Sequence, residues 1–293
     1  MARVLFAEGW DKEVKTAVAD LAGSRPGHRY EVLLKKEHKD NNDLIISSLK
    51  HTGVKYHVCE EGGYEAPYAE AVKQLSANLT DILFAGADIP HFSFLPILFR
   101  GLKVHRSTDL LTSFALIEGK IEGRDRQIIM LDPTVVTNPS DEELTRMTKS
   151  VIAVGSQLLG KTPTVALISH ATGKDRPERS TKQSRVISML KSEGISGVIP
   201  EPLQLDTALY RSVASKKLGR ISTTPNILVM PDITSANVLY KSIEHFGGDK
   251  MKITSHLLWR SPIGNVGLLP RTTTKDQILK SFDILVNMAR ISK

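Results

Sequence analysis

The sequence lacks several features that mark particular classes of protein. It has one cysteine in 293 residues, Cys59, so neither an intrachain disulfide nor a multi-cysteine zinc site can form. Aromatic residues make up only 5% of it, and no apolar run approaches the roughly 18 residues of a membrane span. The first residues, "MARVLFAEGWDKEV", also lack the long apolar run of a signal peptide. These absences favour a cytoplasmic protein with no membrane partner.

The positive charge of the chain is spread out. The formal net charge is +7, but the lysines and arginines do not gather into a stripe with aromatic residues, so no nucleic-acid partner is predicted. No histidine or carboxylate pair has metal-ligand spacing, and neither a G-x-S-x-G elbow nor a G-x-G-x-x-G turn is present. Neither a metal nor a nicotinamide cofactor is implied. We interpret the charge as favouring small anionic ligands.

Short apolar runs recur along the chain and predict strands. They are "RVLF" at 3–6, "DILFA" at 81–85, "SFALIE" at 113–118, "QIIML" at 127–131, "TVALIS" at 164–169 and "NILVM" at 226–230. Stretches with helical spacing lie between several of them, and this alternation indicates an α/β fold with mostly parallel sheets. The segment "IEGKIEGRDRQ" joins two of the runs through glycines and predicts a hairpin. The prolines in "LDPTVVTNPSDEE" predict a domain boundary.

The segment "GSQLLGKT" at 155–162 satisfies the phosphate-loop pattern, which requires a strand before the loop and a helix after it. Here Ser140 and Glu143 form a capping-box pattern that starts a helix, and apolar residues continue at helical spacing to Leu158. Gly160 and Pro163 are typical of a helix end. The predicted order is helix, segment, strand, so we expect no nucleotide to bind there.

Three loops after predicted strands or before predicted helices carry polar side chains. Ligands of open α/β sheets bind beyond the carboxyl ends of strands. The loops are "HATGKDRP" with His170, Thr172 and Gly173, "PDITSAN" with Asp232, Ser235 and Asn237, and "PRTTTKDQ" with Arg271, Thr272, Thr273, Thr274 and Asp276. Each is also explained by helix capping alone, because Ser, Thr, Asp and Asn are preferred caps.

The third of these loops predicts more than a cap. Arg271 and three threonine hydroxyls precede a helix N-terminus, where the backbone amides and the helix dipole favour an anion. Thr274 and Gln277 form a second capping-box pattern. We interpret the loop as a phosphate site. His170 is a candidate base or phosphate donor, although a single histidine is also a common structural hydrogen-bonding group.

Several segments together resemble the phosphate acetyltransferase and phosphate butyryltransferase family. "RVLFAEGWDKEV" is similar to its N-terminal strand and "PEG-x-D-x-R-V" turn, with Ala7 in place of the proline. "TDILFAGADIP" resembles the strand that leads into the family's substrate loop. "PDITSANVLYKSIEHFGG" resembles its "PDL-x-x-GN-x-x-YK" helix start, and "SPIGNVGLLPRTTTKDQIL" resembles its C-terminal segment.

The resemblance implies a fold and an activity. The fold is a two-domain, three-layer αβα arrangement with mostly parallel sheets, like that of the isocitrate and isopropylmalate dehydrogenases. The expected domains are 1–137 plus 262–293 and 138–261, with the active-site cleft between them and a homodimer as the assembly. The reaction moves an acyl group between coenzyme A, a substrate, and inorganic phosphate. A carboxylate deprotonates the thiol, arginines hold the phosphate and a serine stabilises the reacting carbonyl.

Three family positions differ in this chain. Arg271 matches the family arginine, but Pro270 occupies the position of the serine before it. Gln277 replaces the aspartate, and Asp276 lies one position early, which on a helix is a rotation of about 100°. A second family arginine falls near Leu95 or Pro96. Two functions therefore stay open: a phosphate acyltransferase that uses Arg271, Asp276 and His170, or a catalytically silent paralogue that binds a coenzyme A thioester or acyl phosphate as a sensor, carrier or scaffold.

Overall fold

The computed structural model describes residues 1–59, 63–104, 111–170, 172, 182–219, 224–260 and 264–291. The chain forms two compact units. The first unit contains Met1–Leu111 and Thr254–Lys293, and the second contains Thr112–Ile253. The first unit is therefore built from both ends of the chain.

The N-terminal part of the first unit alternates strands with helices. Its elements are β1 (Arg3–Phe6), α1 (Lys12–Ser24), β2 (Arg29–Lys35), α2 (Lys39–Leu49), β3 (Lys55–Cys59), α3 (Ala66–Ser76), β4 (Ile82–Ala85) and α4 (His91–Gly101). Short 3-10 turns at Lys36–His38 and Gly63–Glu65 precede α2 and α3. Asp11 starts α1, because its carboxylate accepts hydrogen bonds from the backbone N–H groups of Glu13 and Val14.

The second unit follows, and the chain then returns to the first. The second unit contains β5 (Ser113–Ile121), β6 (Arg124–Leu131), α5 (Asp141–Leu159), β7 (Val165–Leu167), α6 (Lys182–Ser192), α7 (Leu205–Leu209), α8 (Arg211–Leu218), β8 (Ile227–Val229), α9 (Ile233–Phe246) and β9 (Met251–Ile253). The returning segment contains β10 (His256–Arg260), β11 (Gly264–Leu268) and α10 (Lys275–Ile291).

The sheet of the first unit has the strand order β3-β2-β1-β4-β11-β10. The pairs from β3 to β11 are parallel, and only the pairing of β10 with β11 is antiparallel. The chain moves outward from β1 to β3 and then returns to the other side of β1 with β4. The strand order therefore reverses between β1 and β4, and such a reversal opens a crevice at the carboxyl ends of the two strands.

Helices cover both faces of this sheet. Crossovers between parallel strands are right-handed as a rule, so the reversed direction of strand addition after β3 implies that α1 and α2 cover one face and α3 the other. The returning helix α10 packs against α1, and α4 packs against α3. Between these layers Phe6 and Phe84 stack with ring centres 4.9 Å apart, and both are fully buried. The first unit is thus an αβα sandwich with an apolar sheet at its centre.

The sheet of the second unit contains both parallel and antiparallel pairs. β6, β8 and β7 are parallel neighbours, while β5 pairs antiparallel with β6 and with β9. The predicted hairpin is confirmed: Glu122 and Gly123 connect β5 to β6, and both have positive φ, as a tight two-residue turn requires. Because this hairpin pairs with β8, it belongs to the second unit. The first division therefore falls at 111/112 instead of 137/138, and the second at 253/254 instead of 261/262.

The α/β class with a mostly parallel sheet is confirmed, and so is the helix before "GSQLLGKT". Ser140 and Glu143 form the capping box of α5, and Gly160 ends the helix at φ 63°. β7 follows at Val165. The order is helix, segment, strand, as the capping signals predict. Phe246, the last residue of α9, is 87% exposed.

Candidate functional site

Polar side chains meet at the carboxyl edge of the first-unit sheet. Glu8 follows β1, Lys35 ends β2, and Asp88 follows β4. Arg271 follows β11, which is the neighbour of β4. These positions surround the reversal of strand order between β1 and β4, where ligands of such sheets bind. This edge is the candidate site of the first unit.

Glu8 organises the turn after β4. Its Oε2 accepts hydrogen bonds from the backbone N–H groups of Gly86 and Ala87, at 2.9 and 2.7 Å. Its Oε1 accepts from the N–H groups of Asp88 and Ile89, at 2.9 and 3.1 Å. The carboxylate is only 1% exposed. It therefore satisfies the N–H groups of a turn that would otherwise be buried without partners.

The hydroxyl of Tyr68 completes this network by donating to Oε1 of Glu8 at 2.9 Å. Burial raises the pKa of Glu8, while the hydrogen bonds from the turn and from Tyr68 oppose that rise. Burial also raises the pKa of Tyr68, and the nearby charge of Glu8 raises it further. Glu8 and Tyr68 are thus a fixed support for the turn that carries Asp88.

Asp88 forms an ion pair with a buried lysine. Nζ of Lys35 donates to Oδ2 of Asp88 at 3.1 Å, and the lysine side chain is 4% exposed while that of Asp88 is 41% exposed. The Nζ atom lies 4.2 Å from the ring centre of Trp10 and 3.8 Å from that of Tyr64. Nε1 of Trp10 also donates to Oδ2 at 3.2 Å. The cation–π contacts and the carboxylate together compensate the buried ammonium.

Arg271 lies close to this group. Leu268 of β11 pairs with Ala85 of β4. Arg271 and Asp88 each lie three residues beyond this pair, in the loops that leave the two neighbouring strands. The charge of Arg271 lowers the pKa of Tyr64, against the larger effects of burial and of Asp88, which raise it. Tyr64 therefore interacts electrostatically with both residues. Arg271 is exposed, and among the described residues none forms a hydrogen bond with its guanidinium.

The three threonines after Arg271 are in different environments. Thr273 is buried, and its hydroxyl lies 3.4 Å from that of Ser255. The hydroxyl of Thr274 accepts from the N–H of Gln277, whose Oε1 accepts from the N–H of Thr274. This predicted capping box is therefore present at the start of α10. Thr272 and Asp276 are exposed.

The predicted site residues of the second unit lie at the carboxyl edge of its own sheet. Asp232 follows β8 and caps α9 by accepting from the N–H and hydroxyl of Ser235 at 2.8 and 3.0 Å. Nδ2 of Asn237 donates to the carbonyl of Pro133, in the turn after β6, at 3.1 Å. These side chains thus take part in helix capping and loop attachment, the structural role that capping preferences alone predict.

The loop after β7 also contributes to this edge. The side chain of His170 is exposed, and its backbone carbonyl accepts from Nε2 of Gln204 at 2.9 Å. Oγ1 of Thr172 accepts from the N–H of Gln204 at 2.8 Å and lies 3.3 Å from Oγ1 of Thr207. Gly173 lies outside the described residues. Among the described residues of this loop, the His170 side chain is exposed and Thr172 is half-buried.

Asp132 in the second unit has a role like that of Glu8. It is 4% exposed and accepts from the Ser113 hydroxyl at 2.7 Å and from the N–H groups of Val135 and Val136 at 3.0 and 2.8 Å. Burial raises its pKa, and these hydrogen bonds oppose the rise. A buried carboxylate thus supports the turn after a strand in each unit.

A cavity of about 960 Å³ lies at the opposite edge of the second-unit sheet. It is lined at the amino ends of β6 and β8 by Arg126 and Asn226, and it also includes Lys161 of "GSQLLGKT". None of the predicted site residues lines it. Both acidic side chains, Glu118 and Asp125, and basic side chains line the cavity, so its lining does not carry charge of one sign. We therefore assign the candidate functional site to the carboxyl edges of the sheets, where the strand order and the helix starts favour ligand binding.

Two further properties concern the residues that the structure describes. In those ranges, no three His, Cys, Asp or Glu side chains are grouped so that they could hold a metal ion. None of the helices there has the length and apolar character that a bilayer crossing requires.

Sequence reasoning missed Glu8, Lys35, Tyr64 and Asp88. Glu8 and Asp88 follow the apolar runs "RVLFA" and "DILFA" within three residues, and a charged residue just after a predicted parallel strand is the signal that could have found them. Lys35 and Tyr64 carried no such signal, because a lysine before a second lysine and a tyrosine in a loop are typical of exposed surfaces.

Comparison with known proteins agrees with this architecture. Residues 28–252 match the family described as "Phosphate acetyl/butaryl transferase". The chain is 27% identical to the "Probable phosphate butyryltransferase" of Bacillus subtilis (strain 168), over 83% of this chain and 80% of the relative. It is 28% identical to the "Phosphate acetyltransferase" of Borreliella burgdorferi, over 42% of this chain and only 36% of the relative.

The fold is also shared with a solved structure. The branched-chain phosphotransacylase from Enterococcus faecalis V583 superposes with a TM-score of 0.76 at 21% identity, over 99% of this chain and 100% of that one. At this identity the likeness establishes the fold. The family match, in contrast, spans most of the chain. The chain belongs to the phosphate acetyl/butyryl transferase family.

Proposed function

We propose that this protein transfers an acyl group between an acyl phosphate and coenzyme A. The observation that carries the proposal is the placement of Arg271, whose exposed guanidinium follows β11 and precedes the N-terminus of α10. A planar guanidinium binds a phosphoryl group through two parallel hydrogen bonds. The dipole of α10 favours the same anion, although the N–H groups of Thr274, Lys275 and Gln277 already donate within the chain.

The surroundings of Arg271 support an anionic substrate. Thr272 is exposed beside it and supplies a hydroxyl, while Thr273 and Thr274 shape the loop through their hydrogen bonds. Pro270 contributes no hydroxyl at the position where the family has a serine, so less of the charge on the reacting carbonyl is stabilised. In our proposal the reaction therefore depends mainly on binding and orientation of the two substrates.

The residues of the second unit have a secondary role in this proposal. His170 is exposed at the carboxyl edge of its sheet and offers a ring nitrogen to a phosphate oxygen or to a proton in transfer. Thr172, Asp232, Ser235 and Asn237 lie in the loops at the same edge, and Gly173, which lies outside the described residues, stays a candidate from the sequence alone. Substrate contacts from these loops would come mainly from backbone N–H groups, because the described side chains already have internal partners.

The alternative function is that of a silent paralogue that binds the same ligands without turnover. Gln277 favours it, because its amide is held in the capping box and cannot act as a base. The two functions are separated by a direct assay. Thioester formation from coenzyme A and a series of acyl phosphates, from acetyl to octanoyl, is expected for the enzyme. Binding of coenzyme A without any thioester would establish the alternative instead.

We also propose a cytoplasmic homodimer, as is expected of the family. Light scattering at micromolar concentration checks the assembly, and a monomer there would contradict it.

A further inference from the structure

We propose that Asp88 is the base that accepts the thiol proton of coenzyme A, in place of the family carboxylate whose position is held by Gln277. This inference rests on the proposed function. It assigns a catalytic role to a residue in the turn after β4. Strand β4 is the neighbour of β11, which leads to Arg271.

Neither Gln277, at the position of the family carboxylate, nor Asp276 beside it is suited to accept the thiol proton. Gln277 has a neutral side chain that closes the capping box of α10. Asp276 carries a charge, but the start of α10 is attached to α1: the N–H of Lys275 donates to Glu13 at 2.8 Å, and its Nζ donates to Asp20 at 3.0 Å. No described contact joins Asp276 to the group around Tyr64 and Arg271.

Asp88 has the geometry of a base with one oxygen available. Oδ2 is held by Nζ of Lys35 and Nε1 of Trp10. Within the described part of the chain, nothing donates to Oδ1, and the side chain is 41% exposed. Two donors on one oxygen fix the direction of the carboxylate and leave the other oxygen for a proton donor from solution.

The surrounding structure holds this carboxylate in place. The backbone of Asp88 is fixed by Glu8, which accepts its N–H, and Lys35 is itself confined between the rings of Trp10 and Tyr64. Positioned acids and bases act through such rigid supports. Tyr64 interacts electrostatically with both Asp88 and Arg271, so the base and the phosphate-binding arginine belong to one neighbourhood.

The proposed step balances in atoms and charge. Oδ1 of Asp88 takes the proton from the coenzyme A thiol, and the thiolate sulfur forms a bond to the carbonyl carbon of the acyl phosphate. The bond from that carbon to the bridging oxygen breaks, and phosphate leaves with the electron pair while Arg271 binds it. Asp88 then returns its proton to the phosphate. The products are the thioester and hydrogen phosphate, and no oxidant or metal enters the step.

The test compares three substitutions that each remove one carboxylate charge: Asp88→Asn, Asp276→Asn and, as a matched surface control on α2, Asp43→Asn. Thioester formation is measured at saturating acyl phosphate and coenzyme A, and phosphate affinity is measured by calorimetry. Loss of a general base is expected to slow Asp88→Asn about 100-fold or more with phosphate affinity retained. The surface control Asp43→Asn is expected to stay near the wild-type rate, and Asp276→Asn is expected to lose far less activity than Asp88→Asn.

A further variant keeps the test valid if Asp88→Asn is unstable with Lys35 buried and unpaired. Lys35→Met combined with Asp88→Asn removes both charges and keeps an apolar side chain between the rings; it is expected to fold and to be as slow. Wild-type activity in Asp88→Asn, or a large loss in Asp276→Asn alone, would overturn the role of Asp88 and leave the proposed function intact. An inactive wild-type protein would overturn both.

Discussion

Nζ of Lys35 lies 3.1 Å from Oδ2 of Asp88, and it lies closer to the centre of the Tyr64 ring, at 3.8 Å, than to that of Trp10, at 4.2 Å. The buried ammonium at the edge of the sheet thus has Asp88 as its ion-pair partner and lies near the rings of Trp10, Tyr64 and, at 5.8 Å, Tyr68. The pair connects the end of β2 to the turn after β4. The stability of that turn is therefore the first property to test.

Glu8→Gln should destabilise the first unit strongly. The amide nitrogen of glutamine would face backbone N–H groups that now donate to a carboxylate oxygen, so buried donors would lose their acceptor. We expect a loss of about 3 kcal/mol in the free energy of unfolding, measured by chemical denaturation. The control is Glu193→Gln, which removes an exposed ion pair with Lys149 and should change stability by less than about 1 kcal/mol. Equal effects of the two substitutions would contradict the support role of Glu8.

Arg271→Ala should weaken phosphate binding about tenfold or more, because charge-assisted hydrogen bonds are lost. Arg271→Lys should restore only part of the affinity, since a point charge replaces a planar fork. Calorimetry with phosphate, acetyl phosphate and coenzyme A measures both. The matched variant is Thr274→Ala, which removes the helix cap and should cost about 1 kcal/mol of stability without changing affinity. Unchanged affinity in Arg271→Ala for every ligand would eliminate the phosphate site.

Tyr30→Phe should reduce the loss of stability at alkaline pH. Burial raises the pKa of Tyr30 from 10.0 to about 12, and its hydroxyl donates to the carbonyl of Arg25 at 2.9 Å. The folded chain thus holds this proton more tightly than the unfolded chain does. The stability it contributes is complete below pH 10 and is lost as the pH rises through about 12.

The measurement is the free energy of unfolding of wild type and Tyr30→Phe across that interval. Below pH 10 the variant should have the lower free energy of unfolding, because the hydrogen bond is gone. As the pH rises, its free energy of unfolding should decline less steeply than that of the wild type. If the free energies of unfolding of the two proteins declined in parallel, Tyr30 would not titrate as its burial predicts. Other buried tyrosines contribute equally to both proteins and cancel in the difference.

The wild type is expected to bind ATP and GTP only at background level, and Lys161→Ala should not change this. Lys161 follows a helix that ends at Gly160, so the segment offers no helix N-terminus to a phosphate. The change in stability should stay within about 0.5 kcal/mol, as for other exposed positions. Equilibrium binding with a labelled nucleotide checks it. Micromolar ATP affinity that this substitution removes would show that "GSQLLGKT" is a phosphate loop after all.

Some features of this protein are determined by neighbours in the sequence. The capping box of Ser140 and Glu143, the glycine that ends α5, and the turn at Glu122 and Gly123 are local hydrogen-bonding and φ requirements, so they could be predicted from the letters alone. The periodicity of the apolar runs likewise indicates the α/β class. The position of Arg271 just before a helix start is recognisable for the same reason, because these residues are adjacent in the sequence.

Other features depend on residues far apart in the chain. Strands β2, β3, β10 and β11 lack a clear local pattern and are defined by pairing partners in the sheet. Glu8 and Asp88 are 80 positions apart, and Lys35 and Asp88 are 53 apart. No local rule links them. Only the order of strands at the reversal between β1 and β4 brings these charges together, because parallel strands present their carboxyl ends at one edge.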